Sequence, residues 1–284
     1  MRPVLALVFF CAFNAKAAST AALPDISLLR PYAEFGNQLD ESIAAITGNV
    51  GVSAGGNLHV METGIINGNV FVASGATFQN DRADNSNIAG TITTSLNLTA
   101  TQNQVFSASS TLSTLSPDLT FSTLDSNQNF SAPAGTALVV DVTNLNLNGN
   151  GANGANISFS GAGDLVLNVS GSFNLGGTTG ILTSDPSHVF INYTGSSGLQ
   201  TNVANIVDGN LFIPTANANL AGTFFGGLYT GTGLVTLTSG ATLAAVPEGS
   251  TLWLVLLGLA LVSARLALGG ARKPTRVDGQ QTAG

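Results

Sequence analysis

Charge is what this chain has least of. Charged residues occupy 8% of its 284 positions, against roughly 25% in an ordinary globular domain. Positive charge is the scarcer kind. Between residues 18 and 246 only Arg30 and Arg82 are basic, against 13 Asp and Glu, a formal charge of −11. No Lys or Arg occurs from Ala83 to Ala264. Neutralising phosphates takes clustered basic side chains, so nucleic-acid binding is excluded. Cys11 is the only cysteine, and the large residues before it do not make a lipoprotein box. Without Cys11 the chain has neither thiol nor disulfide, which suits an oxidising compartment without requiring one. His59 and His188 are the only histidines. Each is isolated in sequence and reads as a partly buried, hydrogen-bonded side chain. No metal-ligand spacing is present, so neither a metal nor a cofactor is expected.

What the chain does have is placed at its ends. Residues 1–17 read as a secretory signal peptide: Arg2 gives the positive start, Val4 to Phe13 the apolar stretch, and Ala15-Lys16-Ala17 the small-residue cleavage site, so the mature chain begins near Ala18. Near the other end Pro247-Glu248-Gly249 precedes an uncharged run from Thr251 to Ala264. A bilayer-spanning helix takes about 20 mainly apolar residues, so Arg265 must lie near one membrane face, where its side chain snorkels to the headgroups. Arg265, Arg272, Lys273 and Arg276 follow the apolar core and by the positive-inside tendency hold a tail at 271–284 in the cytoplasm.

The order Pro247-Glu248, apolar helix, basic cluster resembles the PEP-CTERM sorting signal of Gram-negative bacteria that make exopolysaccharide. The resemblance implies recognition at Pro247, Glu248 and Gly249 by an exosortase-type sorting protease, and removal of the helix within 246–270 at the inner membrane. Gly249 stands where the family has a second proline, and the tail from Leu266 to Gly284 follows where the family ends. An uncleaved single-pass anchor is the other reading of the same residues.

The body, residues 46–245, carries an internal repeat. Ile46-Thr-Gly-Asn-Val-Gly-Val aligns with Ile66-Asn-Gly-Asn-Val-Phe-Val at an offset of 20 residues, and Val207-Asp-Gly-Asn-Leu-Phe-Ile is a looser third copy. Each has a Gly-Asn turn followed by the alternation of a strand with one buried face. The recurrence predicts an all-β fold, a right-handed β-solenoid (β-helix) of at most about ten coils, with Asn ladders at the turns. A β-sandwich of short strands would share the turn chemistry. Val105, Ala108, Leu112, Leu115 and Leu119 keep helical spacing up to Pro117, which predicts a flanking α-helix over 102–116. In 18–45, the spacing of Leu28, Leu29, Tyr32, Phe35 and Leu39 predicts a short capping helix, with a flexible leader as the other reading.

With that helix, and with Leu138-Val-Val-Asp-Val142, Asp164-Leu-Val-Leu-Asn-Val169, Val189-Phe-Ile-Asn-Tyr193 and Ala221-Gly-Thr-Phe-Phe-Gly-Gly227, the body resembles the choice-of-anchor A family of bacterial surface domains. An ice-binding-type solenoid is a neighbouring likeness. The leading expectation is an exported, non-enzymatic surface or matrix protein that contacts exopolysaccharide. A second is a ligand- or ice-binding module using Thr rows such as Thr91–Thr94 and Thr236–Thr238. A third is a β-helix carbohydrate-active enzyme. The last needs two carboxylates about 5–10 Å apart. Stacking could bring Asp141, Asp164 and Asp185 together, but their spacing does not single them out, and they read as turn and solvated-face residues. The glycine-rich stretch 149–156 lacks the Asp of a calcium repeat, so no calcium is expected there.

Overall fold

The structure, a computed structural model, describes residues 22–41, 44–148, 154–238 and 240–245. The strands wind as coils of a parallel β-solenoid with three faces, and every inter-coil pairing is parallel. The first face stacks 119–121, 137–142, 164–169, 189–193, 210–213, 228–230, 34–35, 50–52, 70–72 and 92–93. Round one corner, the second face stacks 145–148, 173–176, 199–200, 218–220, 234–237, 38–41, 57–60 and 77–80. The third face stacks 128–132, 156–161, 180–183, 206–208, 223–225, 242–244, 45–47 and 65–67.

The order of coils along the axis is not the order of the chain. The chain enters at mid-stack with the strand Tyr32–Glu41 and climbs to one end at 92–96. It then returns past its own coils through the helix Thr99–Thr114. From Leu119 it winds back until 228–237 lies against 34–41. The helix has 16 residues, about 24 Å at 1.5 Å per residue, or some five coil spacings of about 4.8 Å.

The 20-residue recurrence is the coil repeat. Ile46 lies over Ile66, Val50 over Val70 and Val52 over Val72. Inside, each rung contributes Val, Leu, Ile or Phe to one continuous apolar column. Burial of each such side chain is worth about 1.5–3 kcal/mol. The Gly-Asn turns are corners of this stack. Asn69 Nδ2 donates to Asn49 Oδ1 at 3.2 Å, and Asn69 Oδ1 accepts from the Thr91 amide at 2.9 Å, so one coil's side chain satisfies the next coil's backbone. At the adjoining position a Cβ on Gly68 would lie 2.0 Å from the Gly48 carbonyl oxygen. Only glycine lets the coils close there.

The helix carries no charged residue, and its stability comes from its seat. Val105, Ala108, Ser109 and Leu112 are buried against Val139, Val166, Phe190, Phe212 and Tyr229 on the outer side of the first face. It starts three residues earlier than the spacing predicts and ends ahead of Pro117, with Leu115 already extended.

One expectation is corrected here. The spacing in residues 18–45 predicts a capping helix or a leader ahead of a body beginning at 46. Instead Tyr32–Glu41 is a strand of the stack, held between 228–237 and 49–60. Its first half is buried on both sides, inward on the core and outward under the helix, where Phe35 packs. A strand buried on both faces loses its two-residue alternation, and the remaining apolar spacing imitates a helix.

Candidate functional site

The third face is built of short strands, most of three or four residues, whose central side chains point inward: Ile157, Ile181, Val207, Phe224, Leu243, Ile46 and Ile66. The residues on either side of that column therefore point out and form two parallel rows. One row runs Asn156, Gly180, Ile206, Thr223, Thr242, Ala45 and Ile65. The other includes Asp208, Phe225, Ala244, Thr47 and Asn67. Neighbours within a row are about 4.8 Å apart and the rows about 6.6 Å apart. Among the eight strands Asp208 is the only ionisable side chain. It is largely buried, accepts a 2.9 Å hydrogen bond from the Thr183 amide, and is held above the usual carboxylate range by that burial. Ile65, Ile206 and Phe225 are exposed by 45%, 40% and 43%. The face thus presents hydroxyl, methyl, apolar and two amide groups at coil spacing, with almost no charge.

The second face differs. Its central outward row runs Asn146, Asn174, Gln200, Asn219, Thr236, Asp40, His59 and Gln79. Two shallow hollows of about 190 and 360 Å³ lie along it, lined among others by Gln200, Asn219, Leu234 and Thr236, and by Thr201, Val203 and Thr238.

Against solved structures the fold has clear counterparts. An ice-binding protein from an Antarctic biological consortium matches at TM-score 0.56 and 13% identity, over 82% of this chain and 96% of that one. A glycosylated ice-binding protein from an Arctic yeast matches at TM-score 0.55 and 12% identity, over 80% and 96%. The ice-binding protein of the Antarctic ascomycete Antarctomyces psychrotrophicus matches at TM-score 0.54 and 13% identity, over 80% and 100%. At these identities the likeness is one of fold. No family model and no curated protein matches the chain.

The Thr rows read along the sequence do not make a face. Thr91, Thr93 and Thr94 lie in one coil at the end of the stack. Thr236 belongs to the amide row, and the Thr238 hydroxyl is spent on the Leu220 carbonyl at 3.1 Å. Thr223 and Thr242 do align, one coil apart, while Thr47 stands in the second row between Ala244 and Asn67. Their signal was the alternation in Thr223-Phe-Phe, Thr242-Leu-Ala and Ala45-Ile-Thr, each three residues long.

Both histidines lie between aspartates. His59 Nε2 is 3.1 Å from Asp81 and its Nδ1 3.6 Å from Asp40, and the His59 contact holds the Asp81 carboxyl below its usual range. His188 Nδ1 is 2.8 Å from Asp164 and Nε2 3.7 Å from Asp185. Stacking thus gathers Asp164 and Asp185 around a histidine, but not Asp141. Asp164 is level with Ala137, four residues or about 13 Å along the strand from Asp141. Asp141 instead accepts from Asn168 at 3.1 Å. Among the described residues no three His, Cys, Asp or Glu are grouped to hold a metal, and no helix is long and apolar enough to cross a membrane. Ala15, Ala17 and Ala18, Pro247, Glu248 and Gly249, and Arg265, Arg272, Lys273 and Arg276 lie outside the described residues.

Proposed function

We propose that this protein is an exported, non-enzymatic β-solenoid that binds ice through its third face. The observation that carries the reading is the pair of outward rows around Thr223, Thr242 and Thr47. Ions impose their own hydration shells, whereas methyl and hydroxyl groups on a fixed lattice let water order over them in one repeating layer. The rigidity of stacked coils keeps that lattice flat, and the fold shared with three ice-binding proteins supports the same reading. The test is freezing behaviour. Purified protein should show thermal hysteresis and slow ice recrystallisation at concentrations where an inert protein of equal size does neither; absence of both overturns the reading.

The amide row of the second face favours a second reading, contact with neutral exopolysaccharide. Exposed side chains of Asn174, Gln200 and Asn219 present donors and acceptors matched to sugar hydroxyls, beside exposed Leu234. Retention on immobilised neutral glycans, abolished in Gln200→Ala/Asn219→Ala, tests it. Export is proposed on the signal peptide at 1–17, and sorting on Pro247-Glu248-Gly249, with an exosortase-type protease as partner and the inner membrane as the place of processing. The mass of the protein recovered from its native host tests both.

A further inference from the structure

The core holds two glutamates where every neighbouring coil holds an aliphatic side chain. Glu34 lies between Leu228 and Val50, and Glu41 between Leu237 and Val60. Both are on the strand Tyr32–Glu41, on either side of its bend, and they are 0% and 1% exposed. Both point into the same coil interior, near enough for each to act on the other's titration. None of the four oxygens has a hydrogen-bond partner among the described residues.

Two carboxylates in such a place cannot both be ionised: burial and mutual repulsion both oppose it. A single proton between them resolves the conflict, turning two acceptors into a charge-assisted hydrogen bond. Burial raises Glu34 to about 7, and burial together with the Glu34 charge raises Glu41 well above the ordinary glutamate value. Among the described residues no positive charge acts on either glutamate, Arg30 acting on Tyr229 instead. Asp40, next along the strand, adds like charge. On the strand 49–60 the one titratable side chain is His59, which is engaged outward with Asp40 and Asp81. The strands at 228–230 and 234–237 bring only Tyr229, which packs beneath the helix, and 45–47 brings none.

The position gives the pair its consequence. The strand that carries it joins the coils at 119–245 to those at 49–96 on the first two faces, as 45–47 does on the third. We propose that Glu34 and Glu41 form a buried proton-binding site that clamps this seam, so that the stack is tight with the proton bound and loosens when it leaves.

Because both groups bind their protons more tightly folded than unfolded, the stability they lend is complete below the ordinary glutamate value of 4.5. It falls as pH rises through about 7, and further as Glu41 ionises. Each retained proton costs about tenfold in the folding equilibrium per pH unit across that window. The experiment is urea unfolding of the full-length protein from pH 5 to 9, with Glu34→Gln and with Glu34→Val/Glu41→Leu, which restores the side chains of neighbouring coils. Infrared spectra of the wild type at pH 6 accompany it. The wild type should weaken steadily across the range, Glu34→Gln by one proton less, and the double variant should be nearly flat. A protonated-carboxyl band should be present in the wild type and lost in the double variant. An unchanged slope in the double variant, absence of the band, or rescue at pH 9 by added Na⁺ or Ca²⁺ would overturn the proposal. Should the variants not fold, the wild-type band decides.

Discussion

Ser109 Oγ and Asn192 Oδ1 stand 2.6 Å apart, both side chains buried between the helix and the first face. Asn192 Nδ2 in turn donates to the Ser109 carbonyl at 3.1 Å and to Asn168 Oδ1 at 3.0 Å, and Asn168 donates to the Leu112 carbonyl at 2.9 Å. An uncharged helix is thus fixed in register by amides that belong to successive coils. Asn192→Leu should lose about 1–3 kcal/mol, because the Ser109 hydroxyl is left buried without its acceptor. Adding Ser109→Ala should cost less than the sum of the two single changes, since the residues share one network. Chemical denaturation of the three variants measures this.

The third face makes a sharp comparison possible. Thr223→Lys places a hydrated cation in the middle of the charge-poor rows, while Asn219→Lys places the same group on the second face. Both sites are at the surface, so stability should move by no more than about 0.5 kcal/mol in either. Thermal hysteresis should fall severalfold in Thr223→Lys and persist in Asn219→Lys, with thermal melts as the control.

Two glycines separate close packing from backbone conformation. Gly75 has φ +78° and open space where a methyl group would point, with nothing within 4 Å, whereas Gly68 is pressed against the Gly48 carbonyl. Gly75→Ala should cost about 1–2 kcal/mol, from the left-handed conformation alone. Gly68→Ala should cost more, because backbone must shift, and its loss should appear as faster hydrogen exchange at Gly48 and Asn49.

Acid titration addresses the histidine pair on the second face. The His59 contact lowers the Asp81 carboxyl, so whatever stability it lends is present above the ordinary aspartate value and lost as pH falls through the lowered one. His59→Gln should bring Asp81 back toward the ordinary value, as read from its carboxyl carbon shift in NMR titration.

How far the sequence discloses this molecule depends on the length of each coil. Ile46 and Ile66 are 20 residues apart and one rung apart, so their repeat is readable. Elsewhere the rung step varies: 27 residues from Val139 to Val166, 24 from Val166 to Phe190, 17 from Leu211 to Leu228. Corners of unequal length destroy any fixed offset while leaving the stack intact. The helix is readable because its buried side keeps the spacing of Val105, Ala108 and Leu112. The strand Tyr32–Glu41 is not, since burial on two sides erases its alternation. The third face is hidden for a different reason: its rows run across the coils, so Thr223 and Thr242 come side by side, with Thr47 one row over, only after winding. The same holds for Glu34 and Glu41, whose seven-residue separation looks ordinary until the strand bends.

The mid-stack entry of the chain decides where its last described coil lies. Ala245 donates its amide to the Thr47 carbonyl, and Thr242 lies beside Ala45, so the last described coil adjoins the first. Residue 245 therefore lies at mid-stack, with coils on both sides of it. Coils gained or lost at either tip of the stack would leave this closing contact untouched.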